Sequence, residues 1–243
     1  MRRLILVALL LASLPTQAAV TQVQQLTPSV AAHWASGGNA PVDLPVAATA
    51  GNLITVEVAF GDGSGLSTVS SVDDAGTTVY ACERTQGNTT VGFVAAICWG
   101  IAAGASAGTD VVVTWSTTAS SADDMIAVQE WAGNDGTQAS LSDNGANTAS
   151  LTSHDSGSVT PGTADNVIVA ISRGSSREWT VDGDFTTLLD NNRTTLAYRI
   201  QSSDTSQSYT ITSDTAGFAG LAIVAFKGTA AASGALLLRR RRS

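Results

Sequence analysis

The sequence predicts an all-β protein, a jelly-roll-like β-sandwich with an internal pseudo-repeat of about six strands per half. Three observations carry this. Gly, Ser, Thr, Ala and Val dominate while Leu, Glu and Lys are scarce, a mix that favours strands and tight turns over helices. Apolar and polar residues alternate with period two in short runs bounded by Gly, Asn, Asp and Ser. The series of runs occurs twice.

The chain opens on "MRRLILVALLLASLPTQA", two arginines, an apolar run over 4–14, then Pro15 and small residues at Ala18 and two before it. This is the layout of a secretory signal peptide over 1–18, with cleavage expected after Ala18. The run is too short for a membrane anchor, which needs about 20 residues. The domain that follows is expected over 19–228 as one sandwich, with two small domains as the rival. "TQVQQL" reads as a first strand, and "SGGNAPVDLPVAATAGN", with Pro41 and Pro45, as a loop.

The first repeat, about 44–133, holds runs at 52–60, 66–72, 77–84, 91–101, 110–116 and 124–132. The segment 133–164 is rich in Ser, Asp, Asn and Gly and is expected to add one or two edge strands or to cross between sheets. The second repeat, about 160–228, holds runs at 165–172, 178–181, 185–190, 194–200, 208–212 and 220–226. "SSVDDAGTTVY" answers "WTVDGDFTTLL", setting Val72 on Val181 and Asp73 on Asp182. "ICWGI" answers "LAYRI", setting Trp99 on Tyr198, and "AVQEWAG" answers "AIVAFKG", setting Trp131 on Phe226. Each set, with one apolar face, can bury that face against the other set, two sheets about 10 Å apart.

Between the leader and the C-terminal arginines, six basic side chains face 20 acidic ones, a net charge of about −14. Such a surface repels nucleic acid and anionic membrane, so neither is expected as a stable partner. Two cysteines in a chain with an export leader suggest a disulfide. If "TTVYACER" and "VGFVAAICWGI" form a hairpin turning between Gly87 and Gly92, Cys82 and Cys98 fall nearly opposite, and a cross-strand bridge becomes geometrically feasible. The alternative is two buried thiols.

No catalytic set is expected. "GASAG" fits Gly-x-Ser-x-Gly around Ser106, but the elbow needs a strand-to-helix turn and no helix follows. His154 and Asp155 are sequence neighbours, which is no evidence for a triad, and His33 is the only other histidine. Glu57 and Glu130 alternate with valines and are expected on a solvated outer sheet face. Asp73, Asp74, Asp182 and Asp184 fall at equivalent turns of the two copies, where they either cap backbone amides or supply oxygens to calcium, the one cofactor considered. Trp34 and Trp179 have no counterparts across the repeat and flank polar sequence, which makes them the candidates for a glycan-stacking surface.

The succession "AATAGNLITVEVAF", "SSVDDAGTTVYA", "VAAICWGIAAGASAGTDVVVTWS" and "IAVQEWAG" resembles a widespread class of exported bacterial β-sandwich surface domains without an assigned activity. The likeness covers about 40–228 and carries no catalytic signature. It implies a surface or matrix component, and some sandwiches of similar shape bind glycans. The tail over 229–243 ends in three leucines followed by Arg239, Arg240, Arg241 and Arg242. It is too short to span a bilayer, and it resembles a bacterial C-terminal sorting tail, in which an apolar segment and a basic cluster hold an exported protein at the membrane until processing. It departs from that pattern in lacking a "PEP"-type motif and in its truncated apolar segment; a disordered basic tail is the other reading. The resulting expectation is a non-enzymatic secreted or cell-surface module with a structural or adhesive role, self-assembling or binding extracellular glycan. The alternatives are a lectin-like module and an extracellular glycan hydrolase.

Overall fold

A computed structural model describes residues 19–25, 29–31, 39–43, 47–61, 69–74, 78–84, 92–104, 110–115, 124–143, 149–162, 165–175, 178–190 and 192–229. The expected signal peptide, the C-terminal tail, His33, Trp34 and Ser106 lie outside them. The described residues are all-β, and no helix among them is long and apolar enough to cross a membrane.

The first half contributes β1 (Thr21–Gln25), β2 (Ser29–Ala31), β3 (Asn39–Asp43), β4 (Leu53–Gly61), β5 (Val69–Asp74), β6 (Ala81–Arg84), β7 (Phe93–Ile101), β8 (Asp110–Trp115) and β9 (Asp124–Ala132). The second contributes β10 (Asn134–Asp143), β11 (Leu151–Val159), β12 (Asn166–Gly174), β13 (Thr180–Val181), β14 (Thr186–Asp190), β15 (Thr194–Gln201), β16 (Gln207–Gly217) and β17 (Ala219–Gly228). All twelve expected runs of the two repeats form strands, and the 133–164 segment supplies β10 and β11. The region read as a loop around Pro41 is instead β3, paired to β8 with Pro41 opposite Val112. Proline fits there because β3 is an edge strand, whose outer side needs no donor.

Among the described residues the strands form four antiparallel sheets. The first half has an inner sheet in the order β1-β9-β4-β7-β6, with β2 also on β9, and an outer sheet β3-β8-β5. The second half has an inner sheet β10-β17-β12-β15-β14 and an outer sheet β11-β16-β13. The pairings run in parallel. β4 lies between β9 and β7 as β12 lies between β17 and β15, and β8 lies between β3 and β5 as β16 lies between β11 and β13.

Alternation along β4 explains the stacking. Ile54, Val56, Val58 and Phe60 join Val111 and Val113 of β8 in one core layer. Leu53 and Ala59 point the other way, into a second layer with Val167, Val169 and Ile171 of β12. The opposite face of β12, Ile168 and Ala170, joins Tyr209 and Ile211 of β16 in a third. The sheets therefore stack outer–inner–inner–outer, and β4 and β12 are buried along their whole lengths. Strands covered on both faces read as near-continuous apolar runs, as "LITVEVAF" and "NVIVAI" do.

Aromatic rings tie the two inner sheets together. Trp99 meets Phe226 edge-on with centroids 5.5 Å apart, and Trp131 meets Tyr198 at 5.1 Å. Trp99 answers Tyr198 in the sequence and Trp131 answers Phe226, so each ring touches the counterpart of the other. The Trp131 indole N–H donates to Thr55 Oγ1 at 3.1 Å, which satisfies its one polar atom inside the layer. At the edge of the first inner sheet, Cys82 of β6 is directly opposite Cys98 of β7, and the two form the expected disulfide, Cα to Cα 3.9 Å.

Candidate functional site

A recess carried by described side chains lies on the second outer sheet, where β13 begins. β13 pairs with β16 through only two residues, Thr180 opposite Thr212 and Val181 opposite Ile211. Beside this short strand a groove of about 360 Å³ opens, lined by Glu178, Thr180, Thr212, Ser213, Asp214 and Thr215. Around Glu178 a second recess of about 200 Å³ adds Asp190 and Asn192. Hydroxyl, amide and carboxylate groups line both. Burial pushes the Asp190 carboxyl up from its ordinary range, and the negative charge of Glu178 adds to that. The groove can therefore accept and donate hydrogen bonds, and its charge favours neutral or cationic ligands over anions.

Trp179 borders the second recess but does not offer its ring. It is 1% exposed, its indole N–H donates to the Ser175 carbonyl at 3.2 Å, and its ring meets His154 edge-on at 5.4 Å. Gly174 makes room for it, since a Cβ there would lie 2.8 Å from the indole nitrogen. This corrects the expectation of an open stacking face at Trp179: an indole fitted between β12 and the outer sheet is core. Its lack of a partner across the repeat reflects a difference in packing, and not exposure.

The four aspartates do not converge. Asp73 and Asp74 lie within β5, not in a turn, and neighbours on a strand face opposite ways. Asp73 is exposed, whereas Asp74 is buried and accepts from the Tyr80 hydroxyl at 3.1 Å. Burial and that carboxylate together raise the tyrosine pKa. Asp182 and Asp184 do sit in an exposed turn, on the outer sheet at the far side of the stack. The Asp182 carbonyl accepts from the Phe185 amide at 3.2 Å, and Asp184 pairs with Arg199 at 2.7 Å. Among the described residues no three His, Cys, Asp or Glu side chains are placed to hold a metal ion.

Glu57 and Glu130 are also not where alternation alone puts them. Both are fully buried, because β4 and β9 are covered on both faces. Glu130 is a structural acceptor. Its carboxylate takes the Thr49 amide at 2.9 Å, the Asn52 side-chain amide at 2.5 Å and the Gln24 side-chain amide. Glu57 has no hydrogen-bond partner on either oxygen, and burial raises its carboxyl to about 7, with Thr55 and Gln129 nearby offsetting part of the effect.

His154 and Asp155 form no dyad. The imidazole turns inward, where Nε2 bonds the Gly217 carbonyl at 2.8 Å, and burial lowers its pKa. Asp155 turns outward and accepts from the Gly157 amide and the Thr210 hydroxyl, at 2.7 and 2.8 Å.

Fold and groove together define an all-β protein of stacked antiparallel sheets with a polar surface groove and a cross-strand disulfide. No protein-family model matches the chain, and no curated protein or solved structure matches it.

Proposed function

We propose that the protein is an exported, non-enzymatic β-sandwich module with a structural or adhesive role at the cell surface or in an extracellular matrix. One observation carries this reading: the interior is spent on stacking. The central strands β4 and β12 of the two inner sheets are buried along their whole lengths, and the large aromatics Trp99, Trp131, Trp179 and Phe226 serve the core. The polar side chains of β11 and β16 are left to face outward, among them Thr152, Ser153, Asp155 and Thr212. Such a stack suits a rigid spacer or a self-assembling unit. The matched pairing order of the two halves, with the crossed aromatic contacts, supports reading them as a duplicated jelly-roll-like unit with pseudo-twofold packing. The cross-strand disulfide suits an oxidising compartment. The test is the secreted chain in sizing chromatography and negative-stain microscopy. Ordered assemblies, or retention on the producing cell's surface, are expected; a free monomer that neither assembles nor adheres contradicts the proposal.

A lectin-like second reading is favoured by the groove. Thr180, Thr212, Ser213, Asn192 and the carboxylates of Glu178 and Asp214 match sugar hydroxyls as hydrogen-bond partners. With Trp179 buried, recognition there would rest on hydrogen bonds instead of ring stacking. Glycan-array binding that Asp214→Ala abolishes while folding is kept supports this reading; an array without signal removes it.

A further inference from the structure

We propose that the joint between the two inner sheets is a proton-dependent device, closed while Glu57 is neutral and loosened when it ionises. Glu57 sits mid-way along β4, the strand at the centre of the first inner sheet. Alternation puts it on the face of Leu53 and Ala59, which is the face packed on the second inner sheet. Counted from the aromatic match, the place of Glu57 on β4 falls to Ile171 on β12. An isoleucine completes the layer on one side, and a carboxyl stands in it on the other.

Among the described residues no charged group pairs with Glu57. Directly opposite Glu57 are Ile97 on β7 and Ala127 on β9, and both oxygens lack a partner. Gln129 and Thr55 are the polar neighbours; Gln129 uses its Oε1 to accept from Gln22 at 2.8 Å. Glu130 points into the other core layer, towards Asn52 and Thr49. From β12 the same layer holds Arg173, which donates to Thr194 at 3.3 Å, lies 5.9 Å over the Phe93 ring and forms no ion pair with Glu57. On β10 the side chains of Asp135 and Asp143 lie outside the described residues. An ionised carboxylate in this layer would be desolvated and unpaired, the costliest state a buried group can hold. The neutral acid is tolerated, so the packing of β4 against β12 is intact only below the pH at which Glu57 loses its proton. A surface module built this way is stiff in mildly acidic surroundings and yields in alkaline ones.

The experiment is equilibrium urea unfolding of the full chain from pH 5 to pH 9, with acrylamide quenching of tryptophan as a second readout, since Trp99 and Trp131 lie in the same layer. A carboxyl raised from 4.5 to about 7 weakens the wild-type folding constant by roughly 75-fold between pH 5 and pH 9. Glu57→Gln and Glu57→Ile are expected to lose that decline, and quenching in wild type is expected to rise with pH while the variants stay flat. Should neither variant fold, infrared titration of the wild-type carboxyls decides: a protonated carboxyl persisting above pH 6 supports the device. Identical pH profiles for wild type and variants, or no carboxyl titrating above pH 6, overturn it.

Discussion

Removing the Phe226 ring probes whether the stack is one cooperative body. The side chain is fully buried in the layer between the inner sheets and packs edge-on against Trp99 across that layer. A buried phenylalanine removes roughly 150–200 Å² from water, which at about 25 cal/mol per Å² is about 4 kcal/mol. Loss of the ring pair adds about 1 kcal/mol, and the Cβ that alanine keeps returns part of the burial, so Phe226→Ala is expected to cost about 4–5 kcal/mol. That is a large part of an ordinary domain's total of about 5–15 kcal/mol. The assay is urea unfolding at fixed pH, followed by tryptophan fluorescence and far-ultraviolet circular dichroism. Because both halves contribute to the layer, the two signals should shift together in a single transition. A cost under about 1 kcal/mol, or a variant in which one half melts early while the other keeps the wild-type midpoint, refutes the reasoning and makes the halves independent.

Other outcomes follow from the same structure. Trp179→Ala should destabilise by about 3–5 kcal/mol in thermal or urea melts, as a core truncation does, because the indole is buried between the sheets. Reducing Cys82–Cys98, or replacing both with alanine, should cost about 3 kcal/mol for a loop of 16 residues, read as a fall in melting temperature. Glu130→Ala should cost about 3 kcal/mol in urea unfolding, since it strands the Thr49, Asn52 and Gln24 donors. His154, whose pKa is lowered by burial, resists protonation in the folded state. Its contribution is therefore present above the unfolded value of about 6.5 and lost as pH falls through it, a slope that His154→Phe should remove in pH-dependent melts. Its sign is opposite to that of Glu57, so the two variants separate the effects.

Strand positions were legible because alternation and turn residues act locally. "DVVVTWS" and "TTLAYRI" read as strands whatever surrounds them, and both are. The disulfide followed from the same local reading once the hairpin register was assumed. What alternation does not state is what covers the second face. Glu57 stands between Val56 and Val58 as an outward residue would, yet the second inner sheet closes over that face and buries it, while Glu130 is buried on the opposite face of the first inner sheet. Trp179 was misread for a related reason: polar, Gly-rich flanks describe the backbone's course, while Gly174 and His154 decide where the ring goes. The groove had little signal. β16 runs on past the apolar "SYTIT" through "SDTAG", and only the shortness of β13 beside it makes a recess. Neither is a property of one residue's chemistry.

Retention of the secreted chain on the producing cell's surface, compared between wild type and a Glu178→Ala, Asp214→Ala variant, tests the central claim that the stack and not the groove does the work. The account predicts equal retention and equal assembly for the two chains. Loss of retention in a variant that melts like wild type would contradict it and make the groove the working site.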